Sequence, residues 1–117
     1  MHEDSVKSLY DLLHASKKLH TKCYDIFING KSKKLITAVT QAQNNLALAE
    51  EKAPEEVYQI FLELDLNIRI WAIHAAQKNS DKKNIYRRVA QKFKHYATVA
   101  KKASSLEEFC RCYITCV

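Results

Sequence analysis

Residues 54–79 read PEEVYQIFLELDLNIRIWAIHAAQKN, and this stretch decides the fold class. One set of its apolar residues recurs in alternating steps of three and four, which is the period of an amphipathic α-helix. These residues are Val57, Phe61, Leu64, Ile68, Trp71 and Ala75. A second apolar set occupies the other faces and consists of Leu62, Leu66, Ile70 and Ile73. A helix that is apolar on almost all sides is expected at the centre of a bundle or in an interface between copies of the chain.

Further segments with a helical period lie on both sides of this stretch. They cover about residues 4–28, 32–52, 81–103 and 105–117, and residues that favour turns separate them. The separating residues are Asn29-Gly30, Pro54, Asn79-Ser80-Asp81 and Ser104-Ser105. We expect Ser80 to cap the fourth helix and the pattern Ser105-Leu-Glu-Glu108 to form a capping box at the start of the fifth.

The predicted fold class is all-α. One Gly and one Pro in 117 residues are too few for the turns of a many-stranded β sandwich or barrel. Short connections between long helices favour antiparallel neighbours. The sequence therefore predicts a single domain over residues 1–117, an antiparallel up-down four-helix bundle with a short fifth C-terminal helix.

The termini and the cysteines indicate a compartment. The start Met-His-Glu-Asp lacks a signal-peptide pattern, and no window reaches the roughly 18 apolar residues that a membrane span needs. We therefore expect a cytoplasmic protein, with the nucleus as the alternative, whose thiols stay reduced. Cys110, Cys112 and Cys116 match zinc-ligand spacing weakly, so we expect free thiols and no metal or cofactor. The last residues, 115–117, suit a groove that captures C-terminal carboxylates, but such capture requires an extended tail in place of the fifth helix.

Positive charge is concentrated on the fourth segment. Residues 78–102 contain nine basic residues and one acid, Asp81, so this window carries +8. Because the whole chain carries +6, the remaining residues sum to −2. At about 100° per residue, four of the cations lie within about 40° of one another, opposite the apolar stripe of the same helix. These four are Lys83, Arg87, Lys94 and Lys101, and Arg88, His95 and Lys102 flank them.

Such a surface attracts an anion. We expect a non-enzymatic interaction or adaptor module whose basic helix, 81–103, binds an acidic protein partner. The alternative is binding to an RNA or DNA backbone through the same residues, and a solvated basic surface is the interpretation without a ligand. Tyr86 and Tyr96 are expected on the apolar side, which disfavours stacking on single strands. Self-association through segment 54–79 is a further partner hypothesis.

The search for catalytic groups finds one weak resemblance. The pairs Arg69/His74 and Arg88/His95 are similar to the spaced Arg and His of the HEPN ribonucleases, which are also helical bundles. That resemblance implies metal-independent RNA cleavage with His as acid or base, and it is a third, weaker hypothesis. The sequence departs from the family where a polar residue usually follows the Arg, since Ile70 and Val89 stand there. No phosphate loop or paired carboxylates support another enzyme class, so a non-enzyme is favoured.

Overall fold

The computed structural model describes residues 2–78 and 81–116, with side chains described over 4–78 and 81–112. These residues form helices α1 (His2–Asn29), α2 (Lys33–Lys52), α3 (Glu55–Lys78), α4 (Lys82–Lys102) and α5 (Leu106–Cys116). No strand occurs in the described ranges, and the predicted all-α bundle with a short fifth helix is confirmed. The predicted cap at Ser80 and the side chains of the 115–117 tail lie outside the described residues.

The helix ends follow from local chemistry. Gly30 adopts a positive φ of 79°, which a residue with a Cβ rarely takes, and its N–H donates to the carbonyl of Ile26 at 2.8 Å. Helix α2 ends at Lys52, and the backbone of its C-cap, Ala53, is extended because Pro54 follows it. The punctuation recognised in the sequence therefore ends these helices as predicted.

The start of α5 realises half of the predicted capping box. The N–H of Glu108 donates to Ser105 Oγ at 3.1 Å, as a capping box requires. The Glu108 carboxylate, however, accepts from the N–H of Ser104 at 2.8 Å and from the Ser104 hydroxyl, one residue before the expected donor. These hydrogen bonds lower the pKa of Glu108, because they favour its charged form.

Helix α1, and not α3, is the central helix. It packs against each of the other four, so of the two places expected for α3, the centre of the bundle is not the one it takes. Leu9, Leu12 and Leu13 of α1 are fully buried in the core. The other core residues are Val57, Phe61, Leu64 and Ile68 of α3, Ile85, Val89, Phe93, Ala97 and Ala100 of α4, and Phe109 of α5. Ala42 is the one residue of α2 that is buried, so α2 packs on α1 through a narrow face.

The thinness of the molecule explains why α3 is not enclosed. The shortest dimension is 20 Å, which corresponds to two helix diameters of about 10 Å. The radius of gyration is 14.8 Å, whereas a compact chain of this length is expected near about 13.4 Å. In two layers each helix has an uncovered side, and α3 carries apolar residues on that side. None of the described helices has the length and apolar character of a membrane span.

Candidate anion-binding surface

Helix α4 is oriented by one buried stripe and by its N-cap. The cap is Asp81, whose carboxylate accepts from the N–H of Asn84 at 3.2 Å. Its buried stripe is centred on Phe93, which has no exposed surface and stacks on the His20 ring with centroids 4.9 Å apart. Burial of this stripe leaves the opposite side of the helix to solvent.

The residues predicted as the site occupy that opposite side. All seven are exposed, and we call them the basic face of α4: Lys83, Arg87, Arg88, Lys94, His95, Lys101 and Lys102. The helix itself contains no acidic residue. The nearest acid along the chain, Asp81, is the cap that precedes the helix.

Cations outnumber carboxylates around the basic face, where Asp25 of α1 and the cap Asp81 lie nearby. An ion pair away from this face joins Arg69 Nε to Asp65 Oδ2 at 2.8 Å, both in α3. Arg87 is held instead by a neutral partner, since its Nη2 donates to Asn84 Oδ1 at 3.1 Å. A row of cations that outnumbers the nearby carboxylates creates a positive potential that concentrates anions.

On its α1 side the basic face borders a shallow groove of about 270 Å³. Arg87 and Lys94 line it from α4, and Lys17 lines it from α1. The remaining lining residues are Thr21, Tyr24, Asp25, Ala90 and Gln91. Sequence reasoning missed Lys17, because nothing in the spacing of α4 shows which residues of a distant helix lie beside it.

On its α3 side two cations of α4 lie over the only tryptophan of the chain. The Arg88 Cζ is 4.8 Å and the Lys92 Nζ 4.7 Å from the centroid of the Trp71 ring. Cations at these distances are attracted to the negative face of the indole, which restrains the side chains and leaves their charge in place. Lys92 was not among the predicted residues. Lys92 lies one helical turn after Arg88, and this spacing could have pointed to it. Its contact with Trp71, however, depends on how α3 and α4 pack.

An aromatic pair, Tyr86 and Phe27, lies near the N-terminal end of α4. Tyr86 was expected on the apolar side, away from solvent, but it is exposed. Tyr86 is 39 % exposed and its ring lies 5.1 Å from the ring of Phe27, which is itself 43 % exposed. The C-terminal half of α1, from residue 17 onward, has no fully buried residue, so the apolar stripe of α4 is incompletely covered there. Tyr96 is half-buried, closer to the expectation.

The two candidate catalytic pairs differ in whether their Arg and His line the same depression. Arg69 lines a groove between α3 and α4, whereas His74 lines a separate depression with Trp71. Arg88 and His95 share one shallow depression, so only this pair lies together. Across the described residues, no group of three or more His, Cys, Asp or Glu is placed to hold a metal ion.

The described thiols and one histidine show the effect of burial. Burial raises the pKa of Cys23, and burial together with the Glu63 charge raises that of Cys110, which disfavours the reactive thiolate. Burial and the charges of Lys18 and Lys17 lower the pKa of His14.

Comparison with known protein families, with curated proteins and with solved structures found no significant match.

Proposed function

We propose that this chain is a non-enzymatic helical interaction module that binds an acidic protein segment through the basic face of α4. One observation carries the proposal: exposed cations run along a helix about 30 Å long that itself contains no acidic residue. The side chains that restrain these cations are neutral, namely Asn84 and Trp71. Because these contacts are neutral, they leave the charges of Arg87, Arg88 and Lys92 available to attract an anionic partner.

The groove beside α1 favours a peptide over a phosphate backbone. Lys17, Arg87 and Lys94 supply cations there, but the carboxylate of Asp25 lines the same groove. A regularly charged phosphate chain meets repulsion at that carboxylate. An acidic protein segment avoids it by placing a hydroxyl, an amide or a basic residue opposite Asp25, and Gln91 offers a further hydrogen-bonding partner.

Binding to RNA or DNA is the second candidate, and the exposed aromatic pair favours it. Tyr86 and Phe27 offer rings to solvent beside the first cations of α4, where bases of a single strand stack in many nucleic-acid-binding proteins. This mode has its own signature. The logarithm of its affinity falls linearly with the logarithm of salt concentration, with a slope of about −0.7 per contacted phosphate for single strands.

A matched pair of charge reversals tests the proposal. Arg87→Glu with Lys94→Glu removes two cations of the basic face, whereas Lys33→Glu with Lys34→Glu makes the same change in net charge on α2, which does not pack on α4. The probes are a labelled peptide of Glu and Asp and, separately, a single-stranded RNA and a DNA duplex of about 20 nucleotides, followed by anisotropy between about 50 and 200 mM salt. Circular dichroism confirms that both variants remain helical.

We expect the peptide to bind the unaltered chain and the α2 variant, and to lose affinity for the α4 variant. Equal loss in both variants, or no peptide binding at the lowest salt, contradicts the proposal. Tighter binding of RNA or duplex than of peptide, with a steep salt slope, supports the second candidate instead. Trp71 supplies an independent signal, because displacement of Arg88 and Lys92 toward a ligand changes the emission of this single tryptophan.

A further inference from the structure

The outer side of α3 carries four aliphatic residues that the described chain leaves partly exposed. Leu62, Leu66, Ile70 and Ile73 are 37 %, 56 %, 44 % and 59 % exposed, and we call them the α3 stripe. Their steps of four, four and three place them within about 80° on one side of the helix. The buried residues of α3, centred on Phe61 and Leu64, lie on the opposite side. The stripe is therefore a second apolar face on a helix whose first face already forms the core.

The apolar surface continues from the stripe toward α4. Ile73 also lines a groove of about 390 Å³ between the two helices, together with Ala72, Ala76 and Val89. Monomeric proteins rarely expose a contiguous apolar patch of this kind unless it forms an interaction site. A stripe at helical spacing is complementary to another helix with the same spacing.

The polar residues beside the stripe indicate which partner helix would fit against it. Glu56 and Glu63 lie in the N-terminal half of α3, and His74 and Lys78 lie in its C-terminal half. All four are exposed, and at about 100° per residue they lie within about 60° of one another along one edge of the stripe. On the other edge Arg69 pairs with Asp65 inside the same helix, so that edge is close to neutral.

We propose that the chain forms a two-fold symmetric dimer in which the α3 stripes of two copies pack antiparallel. With the symmetry axis near residue 68, Leu62 lies opposite Ile73 of the second copy and Leu66 lies opposite Ile70. In the same register Glu56 of one copy comes beside Lys78 of the other, and Glu63 comes beside His74. A parallel two-fold arrangement instead brings this charged edge beside the nearly neutral edge that carries Asp65 and Arg69, and it gains no such pairs. Charge complementarity therefore favours a second copy in the antiparallel direction.

A matched pair of leucines tests the surface. Leu66→Glu places a charge at the centre of the stripe, and Leu48→Glu makes the same change at a leucine of α2 that is 52 % exposed. We expect sedimentation equilibrium to show a dimer for the unaltered chain. Leu66→Glu weakens it by about a hundredfold or more, because the substitution is present twice in a symmetric interface, and Leu48→Glu leaves it unchanged. A monomer for the unaltered chain at high concentration, or equal loss in both variants, overturns the proposal.

A charge exchange tests the antiparallel register. Glu56→Lys with Glu63→Lys makes the charged edge of α3 basic, and His74→Glu with Lys78→Glu makes it acidic. Each variant alone is expected to dimerise about tenfold more weakly, and an equimolar mixture restores dimers because opposite edges then face each other at both ends. Unchanged dimerisation of the single variants refutes this register. Loss of the dimer leaves the peptide binding of α4 intact, so the two proposals fail separately.

Discussion

Charge reversal at the two ends of α4 should change the free energy of unfolding in opposite directions while weakening ligand binding in both cases. Lys83 lies in the first turn of α4, which contains no acidic residue, and Lys102 lies in the last turn. Both are exposed members of the basic face. The partial positive charge of a helix N-terminus favours an anion there, whereas the C-terminus favours a cation.

The magnitudes follow from the neighbours of each residue. Lys83 and Arg87 are one helical turn apart, so Lys83→Glu replaces a repulsion by an attraction, each worth about 0.2–0.5 kcal/mol. The interaction with the helix terminus adds about 0.3–1 kcal/mol. We expect stabilisation by about 1 kcal/mol, which corresponds to an increase in Tm of about 4 °C. Lys102→Glu loses a favourable interaction with the C-terminus and should destabilise the fold by about 0.5 kcal/mol.

Urea unfolding followed by circular dichroism measures both free energies, and anisotropy with the acidic peptide measures binding. Both differences in stability should shrink as salt is raised, because exposed charges are screened over a Debye length of about 10 Å at 0.1 M. A residue that costs stability but increases affinity is typical of a binding surface. Stability changes of the same sign in Lys83→Glu and Lys102→Glu refute the reasoning. So does an affinity for the peptide that rises in the stabilised variant and falls only in the destabilised one.

Three further predictions concern the core, one histidine and the tryptophan contact. Phe93→Ala should cost about 3–5 kcal/mol in urea unfolding, because the ring is fully buried, whereas Phe27→Ala at an exposed site should cost less than about 1 kcal/mol. Burial lowers the pKa of His14 below 6.5, so the unfolded chain takes up a proton first as the pH falls. Stability should therefore decline as the pH falls through 6.5 and below, and His14→Gln should remove that part of the decline. Lys92→Met keeps the aliphatic stem but removes the charge over Trp71, which should lower stability by about 0.5–1 kcal/mol and change the tryptophan emission.

The positions of the helices could be predicted because their signals are local. Gly30 and Pro54 end or open helices through the conformations that their own backbones adopt or exclude. The buried side of α4 could also be predicted, since Ile85, Val89 and Phe93 share one face of any α-helix over this segment. The exposed residues of the basic face follow from the same period, because the side opposite a buried stripe is the side left to water.

The surroundings of the candidate site could not be predicted in the same way. Lys17 and Trp71 join it from α1 and α3, and their approach depends on how three helices pack. Tyr86 shares the apolar side of α4, yet it is exposed because the end of α1 that contacts it has no buried residues. Periodicity shows which residues can be buried together, but not whether a neighbouring helix is long enough and close enough to bury them.

The sequence by itself determined that this protein is helical and that its positive charge lies along one side of the fourth helix. Both properties depend on contacts within one or two helical turns, which the order of residues specifies directly. Only the tertiary structure decided that α1 is the central helix, that α3 keeps a second apolar face uncovered, and that Trp71 holds two of the cations. These features arise from packing between residues far apart in the chain, where a two-layer arrangement leaves each helix one side that no other helix reaches.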